Sequence, residues 1–225
     1  AVSKSKATAE VYKGIKQGLD AVIIFPSGII GPYDHRGSQM GSVLKNLLKG
    51  KNKKTYACFC GGYNFVDVRD DVVMALQLAM ETGRSGEGYL ISGHTITIPQ
   101  LFRFVARWMG KTTIKLILFP VWLVKLAAHI SVKIAGLFNK KTFFTPYSID
   151  VLESNAEMDH SKAEQELGFT PRPLEETLSE TLKWFSNRIQ KRKMKRATRR
   201  ARRLEQWELF KNRIFDHLRP PQFML

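Results

Sequence analysis

The sequence is short of cysteine, short of acid relative to base, and without a clean apolar run long enough to cross a bilayer. Only two of its 225 residues are cysteine, Cys58 and Cys60, which excludes a disulfide framework. With one residue between them they are expected on one face of a strand. That spacing closes too small a ring for an easy disulfide, and two thiols are too few for zinc. They read as reduced, half-buried thiols of a cytoplasmic protein, and no metal site is expected. No secretory signal is visible. The chain opens on Ala1 rather than Met, inside a helical pattern, so a fragment of a longer protein is expected. The most apolar region, 116–138, carries Lys125, His129 and Lys133 at every fourth position. One polar stripe of that kind predicts an amphipathic helix over a core or pocket, not a membrane span.

Acidic residues number 20 against 36 basic ones, a net charge of +16, and the imbalance is uneven. Residues 186–225 hold 13 Lys and Arg but 3 Asp and Glu. The rest is 23 against 17, so basicity is mostly a property of the tail. At 44% hydrophobic and 25% charged, the chain is predicted to form a globular domain over 1–185 with a basic tail over 186–225. The tail combines Lys191-Arg-Lys-Met-Lys-Arg196 and Arg199-Arg-Ala-Arg-Arg203 with an apolar stripe of Leu204, Trp207, Phe210, Ile214 and Leu218. It reads first as a solvated extension or a helix docked on its own domain. Second comes an amphipathic helix on an anionic membrane surface. Nucleic-acid attachment is the least favoured.

Ala21-Val-Ile-Ile-Phe25, followed by Pro26-Ser27-Gly28 and Gly31-Pro32, organises the rest. An all-apolar run closed by turn residues predicts a strand buried in a parallel sheet. In open α/β sheets ligands sit at the carboxyl end of such strands. A helix over 1–17 with Val11 and Ile15 on one face precedes it, ending at Gly18. Helical spacing recurs over 40–49 up to Gly50, and Tyr56–Phe59 alternates as a strand. Asn64–Asp70 reads as a strand turning into a helix at Asp70 or Asp71, and 87–92 as another strand. Thr97 is expected to cap a helix through Met109, with Pro99 in its first turn. Ser161 and Glu164 are expected to form a capping box, and Pro171-Arg-Pro173 to open a helix in which Leu174, Leu178, Leu182 and Phe185 share a face. Strand and helix alternate in the α/β manner.

Five phrases in order resemble the extended short-chain dehydrogenase/reductases, the NAD-dependent epimerase/dehydratase and dihydroflavonol-reductase-like family. They are Val2-Ser-Lys4 with Ala9-Glu10; Phe25–Ile29 with Gly31-Pro32; Asn64-Phe-Val-Asp-Val-Arg-Asp70; Gly83-Arg-x-Gly-Glu-x-Tyr89; and Asp159-x-Ser-Lys-Ala163 with Glu166-Leu-Gly-Phe169 and Pro171–Glu176. Together they cover 1–185. The resemblance implies the C-terminal portion of a Rossmann-like parallel sheet, from about 1–31 and 64–95. It also implies a smaller, mostly helical substrate lobe from about 32–62 and 96–170, and NAD or NADP as cofactor.

It further implies a tyrosine–lysine pair. A phenol with a pKa near 10 is a poor acid or base at neutral pH, and a lysine one helical turn later stabilises the phenolate. By the resemblance Lys4 is that lysine, also holding the nicotinamide ribose, and its tyrosine is expected immediately before Ala1. Tyr12 and Lys16 fit the same spacing but sit too close to Pro26. Pro26, Ser27, Gly28 and Ile29 are expected to contact the nicotinamide, through a turn that proline fixes and glycine opens to close approach. Asn64 and Arg69 resemble substrate-facing positions, with a surface arginine as the alternative for Arg69. Asp67 and Asp70 read as structural caps. Tyr147 and His129 are pocket candidates, more readily explained as satisfied, partly buried residues.

No G-x-G-x-x-G occurs. Such a turn seats pyrophosphate on a helix N-terminus, so the chain by itself is not expected to catalyse. The expected activity of the parent is hydride transfer between nicotinamide and a carbonyl or carbinol carbon of a small-molecule substrate, either a sugar nucleotide or a flavonoid- or steroid-like ketone. A homodimer is consistent with the resemblance. The contrasting reading is a non-catalytic module on a truncated reductase scaffold, held to a membrane or polyanion by its tail.

Overall fold

The computed structural model describes residues 2–50, 52–137, 145–154 and 158–217. Of the positions singled out above, Ala1, Phe138 and Leu218 fall outside these residues, as does the rest of the tail beyond Leu218. The chain divides into two compact units, Ala1–Lys183 and Trp184–Leu225.

In the first unit α1 (Val2–Lys16) leads into β1 (Ile23–Pro26) and, after one residue, β2 (Gly28–Ile30). Then come α2 (Gln39–Lys49), β3 (Thr55–Cys58), β4 (Gly62–Asp67), α3 (Asp71–Thr82), β5 (Gly88–Ile91) and β6 (His94–Thr97). They are followed by α4 (Ile98–Trp108), β7 (Lys115–Leu118), α5 (Val121–Leu137), α6 (Pro146–Glu153) and α7 (Ser161–Leu167). The last helix, α8 (Leu174–His217), contains the division between units.

The strands form parallel ladders, as an α/β chain with crossover helices requires. β1 pairs with β5, Ile23 opposite Gly88 and Pro26 opposite Ile91. β2 pairs with β4, which also takes β6 as an antiparallel neighbour. β3 pairs with β7. The main core lies where α3 and α7 cover β4 and β5: Val66, Ala75, Ala79, Tyr89, Ile91, Ala163, Leu167 and Phe169 are buried together. A second core joins Phe59, Ala128 and Ile149, with Val124 and Leu152 packed against it. It belongs to the lobe of α5 and α6.

Several expectations are met and several corrected. Thr97 caps α4, its hydroxyl accepting from Gln100 N while the Gln100 amide oxygen accepts from Thr97 N at 2.8 Å. Gly168, at φ 71°, ends α7 in the left-handed conformation that glycine adopts freely. The capping box at Ser161 does not form. Ser161 is already helical, and the carboxylate of Asp159 accepts from both Ser161 N (2.8 Å) and Ser161 Oγ (2.9 Å). The hydroxyl thus donates to a charged acceptor two residues upstream, and the Glu164 backbone N–H that it was expected to serve donates to His160 O at 3.0 Å instead. The apolar region 116–138 is not one helix, because Pro120 separates strand β7 from helix α5. Cys58 and Cys60 do not share an environment. β3 ends at Cys58, which is buried, and Cys60 lies beyond it, exposed.

In the second unit the chain is helical through His217. Leu204, Trp207, Leu209 and Phe210 are each more than half exposed, and the Trp207 and Phe210 rings stack at 5.9 Å.

Candidate functional site

The chain changes ladder at Ser27. Its backbone N–H still donates to Ile91 O (2.9 Å), completing the β1–β5 ladder. One residue later Gly28 stands opposite Phe65 in the β2–β4 ladder. The strand pair therefore splits at its carboxyl end, where open α/β sheets place ligands. Glycine is required there: a Cβ on Gly28 would come within 2.7 Å of the Tyr63 ring and 2.8 Å of Asn64 O.

A cleft of about 380 Å³ opens on this split. Gly28 and Ile29 form one wall, Met40 and Val43 of α2 a second, and Tyr63 and Phe65 of β4 the floor. Tyr147, Val151 and Leu152 of α6 close the far side. Three of the polar side chains lining it are engaged locally. Ser38 Oγ caps α2 by accepting from Gly41 N at 2.9 Å, and Thr145 and Ser148 cap α6 reciprocally. Among the described residues no charged side chain lines the cleft. Beside it, Ser27 Oγ is buried without a hydrogen-bond partner, which is costly unless something else satisfies it.

The residues singled out in the sequence are placed as follows. Gly28 and Ile29 line the cleft and Ser27 adjoins it, while Pro26 is exposed at the end of β1. Lys4 is exposed on α1 and outside the cleft. The Tyr12 hydroxyl lies over Gly88, at the amino end of the β1–β5 ladder and away from the Ser27 turn. Asn64 is buried at 3% exposure, its amide nitrogen donating to Gly93 O (2.9 Å) and its amide oxygen accepting from Gly93 N (2.8 Å). It clamps the turn between β5 and β6. The guanidinium of Arg69 pairs with Glu180 on α8, away from the cleft lining. Tyr147 does line the cleft and is 68% exposed there. His129 faces the carbonyl of Lys125 at 2.9 Å.

Sequence reasoning missed the floor and, apart from Tyr147, the far wall. Tyr63 and Phe65 flank Asn64 and by strand alternation point to the opposite side of β4. That was a usable signal. Met40, Val43, Val151 and Leu152 meet only through the tertiary fold, and nothing local marks them.

Motif residues outside the cleft are joined to one another. Tyr89 Oη donates to Glu166 Oε2 at 2.8 Å, and Arg84 Nε donates to the same oxygen at 3.1 Å. Lys162 Nζ reaches Glu87 at 2.6 Å. Arg172 N donates to Asp71 Oδ1, and its guanidinium reaches Asp70 (2.6 Å), Glu180 (3.0 Å) and Glu176 (3.2 Å). The Arg172 guanidinium holds the Glu180 carboxyl below the usual range, and Lys162 does the same for Glu87. Burial pushes the Asp71 carboxyl up, although backbone N–H groups of Arg172 and Asp67 work against that. Asp67 Oδ1 accepts from the backbone of Arg69 and Asp70, the capping role expected of it. Asp70 makes no such cap.

Two curated proteins match most of the chain. Sterol demethylase protein B of Methylococcus capsulatus is 30% identical over 188 residues, 82% of this chain and 56% of that protein. A putative dihydroflavonol 4-reductase of Synechocystis sp. is 26% identical over 193 residues, 82% of this chain and 54% of the other. The chain's relatives are epimerase/dehydratase and dihydroflavonol-reductase-like proteins. The fold agrees. The crystal structure of gox2253 superposes with a TM-score of 0.61 at 28% identity, over 83% of this chain and 55% of that one. PA4631, a nucleoside-diphosphate-sugar epimerase from Pseudomonas aeruginosa, gives 0.56 at 25%, over 82% and 54%. RMD from Pseudomonas aeruginosa, solved with NADPH, shares the fold at 0.59 and 17% identity, over 83% and 55%. No protein-family model matches the chain. It spans about half the length of the curated relatives it matches.

Among the described residues no group of three or more His, Cys, Asp or Glu could hold a metal ion. No described helix is long and apolar enough to cross a membrane.

Proposed function

We propose that this chain forms the C-terminal part of an NAD(P)-dependent oxidoreductase or epimerase, contributing the nicotinamide side of the cofactor site and most of the substrate cleft. The observation that carries the reading is the split at Ser27. A buried hydroxyl without a partner and a glycine with no room for a side chain stand together at the carboxyl end of a parallel ladder. Both fit a planar carboxamide, which Ser27 Oγ and the backbone of Pro26–Ile29 would hold. The nicotinamide, when bound, supplies the hydride. Lys4 would orient its ribose and lower the pKa of a tyrosine standing just before Ala1. With no phosphate-binding glycine turn in 1–225, the chain alone would be inactive.

The cleft favours one substrate class over the other. A sugar nucleotide brings a diphosphate, which proteins hold with Arg, Lys or helix N-termini, and among the described residues no charged side chain lines this cleft. Ile29, Met40, Val43, Phe65, Val151 and Leu152 suit an apolar, ring-shaped ketone, with the exposed Tyr147 as a polar contact.

The test begins with the coding sequence upstream of Ala1, where a tyrosine codon and a glycine-rich turn further upstream are expected. The full-length product is then titrated with NADH and NADPH by nicotinamide fluorescence. Ser27→Ala should weaken binding between twofold and about tenfold, the range of a single neutral hydrogen bond. If neither dinucleotide binds, the reading fails.

A second reading, a non-catalytic module anchored by its tail, is favoured by the exposed Trp207–Phe210 stack on a helix that also carries the basic runs. It predicts a start codon in place of the upstream tyrosine and no dinucleotide binding.

A further inference from the structure

One face of α5, a helix with no Asp or Glu of its own, is an exposed apolar surface of the first unit. Trp122 is 66% exposed, and Leu126, Ile130 and Ile134 are each 51% exposed. They recur every fourth residue and so form one continuous stripe. The opposite face is the one that packs: Val121, Val124 and Ala128 join Phe59 and Ile149 in the lobe core, and Lys125 pairs with Asp150 (2.8 Å) and Glu153 (2.6 Å) of α6. Directly before the helix, Leu118 and Phe119 are exposed as well. A helix that buries one side and shows another apolar side to solvent marks an interaction surface.

Charge indicates what covers it. α5 contains no Asp or Glu and carries Lys125 and Lys133; Lys125 is paired with Asp150 and Glu153 of α6, which leaves Lys133 as the cation beside the stripe. Lys133 is exposed on α5 next to the stripe, positioned as the cations that border interfacial helices are. The exposed apolar face of α3 is different: Val73, Met74, Leu76 and Met80 lie on a helix with no Lys or Arg and with Glu81 near its end. That face has no complementarity to an anionic surface, whereas α5 does. α5 is also not long and apolar enough to span, so the geometry is that of a helix lying in the plane of a bilayer surface.

We propose that the Trp122–Leu126–Ile130–Ile134 face of α5 docks on an anionic lipid bilayer, inserting its apolar side chains at headgroup depth while Lys133 meets lipid phosphates. The surface does not depend on the cofactor site. It also differs from the basic tail, because it belongs to the first unit and acts through apolar insertion.

The test is flotation of the 225-residue chain with vesicles of phosphatidylcholine containing phosphatidylserine, and with pure phosphatidylcholine. Binding to the anionic vesicles is expected, with a loss of tenfold or more in Leu126→Glu/Ile130→Glu. Both positions face solvent, and circular dichroism with thermal melting confirms that the double variant folds. Lys191→Gln/Arg192→Gln/Lys193→Gln reports the tail's share separately and should leave most of the binding. No flotation overturns the proposal. So does flotation that survives L126E/I130E and is lost only in the tail variant. If sedimentation shows a dimer that L126E/I130E dissolves, the face belongs to a second copy, and the bilayer reading is likewise overturned.

Discussion

Tyr89→Phe removes a single oxygen from the main core and should be felt in two ways. The ring is fully buried on β5, and phenylalanine leaves its packing in place. What disappears is the hydroxyl, which donates to Glu166 Oε2 at 2.8 Å and accepts from Arg84 N at 3.2 Å. A hydrogen bond to an ionised acceptor contributes about 1.5–3 kcal/mol. Because the Glu166 side chain is 28% exposed and keeps Arg84 as a partner, the lower end of that range applies to Tyr89. At a urea m-value of about 2 kcal/mol per M, ~1.5 kcal/mol moves the unfolding midpoint by about 0.7 M. The second effect is its pH dependence. The Tyr89 hydroxyl is the main influence holding the Glu166 carboxyl below its ordinary value; burial opposes it and Arg84 assists. A carboxyl depressed in the folded state contributes stability above its unfolded pKa and loses it as pH falls through the folded pKa. The gap between wild type and Y89F should therefore be widest at neutral pH and close below the ordinary glutamate range. Carbon-detected NMR of the folded variant should show Glu166 titrating higher. Equal midpoints at pH 7, or a gap that persists unchanged into acid, would refute the reasoning.

Gly28→Ala should destabilise by about 1–3 kcal/mol, as overpacking does. Its new methyl meets the Asn64 carbonyl and the Tyr63 ring across the β2–β4 ladder, and thermal melting together with loss of any cleft ligand would show it. An unchanged Tm would mean that the ladders do not approach as described. In a thiol-reagent time course the native chain should titrate Cys60 at once and Cys58 only on unfolding. Cys60 is exposed, while Cys58 is buried and burial pushes its thiol up. Simultaneous labelling of both in the native state would contradict this.

Much of the fold was legible where one physical signal dominated. Ala21–Phe25 has no charge to solvate, so it reads as a strand, and the ladder with β5 follows; the burial expected of it does not, since no residue of β1 is fully buried and Phe25 is 37% exposed. Thr97 with Pro99 in the first turn is a helix start on two grounds at once, and it forms as expected, with Gln100 adding a capping box that the sequence reading did not name. Misreadings came where two signals competed. Ser161 looked like a cap, but Asp159 offers its hydroxyl a charged acceptor, and Glu164 N donates to His160 O instead. Residues 116–138 looked like one helix because their apolar character is continuous, and Pro120 was the weaker mark that divides them. Cys58 and Cys60 were paired by counting in twos, which holds only while the strand continues.

The site was less legible than the family, for a reason that lies in the motifs themselves. The phrases carrying the resemblance are long, polar and charged, and most of their side chains hold one element to another. Arg84 and Tyr89 are tied to Glu166, Glu87 to Lys162, Asp71 to Arg172, and Asn64 to Gly93. Cross-links of this kind need particular donors and acceptors at particular positions, so they leave recognisable patterns. The cleft is made of Ile29, Met40, Val43, Phe65, Val151 and Leu152, for which any apolar side chain of similar volume serves locally. Two of the phrases reach the cleft, Phe25–Ile29 through Gly28 and Ile29 and Asn64–Asp70 through Phe65. In the turn at Pro26-Ser27-Gly28 the glycine is demanded by the close approach of β4 and the serine has a buried oxygen left to satisfy, so there the recognisable pattern and the cleft wall coincide in the backbone itself.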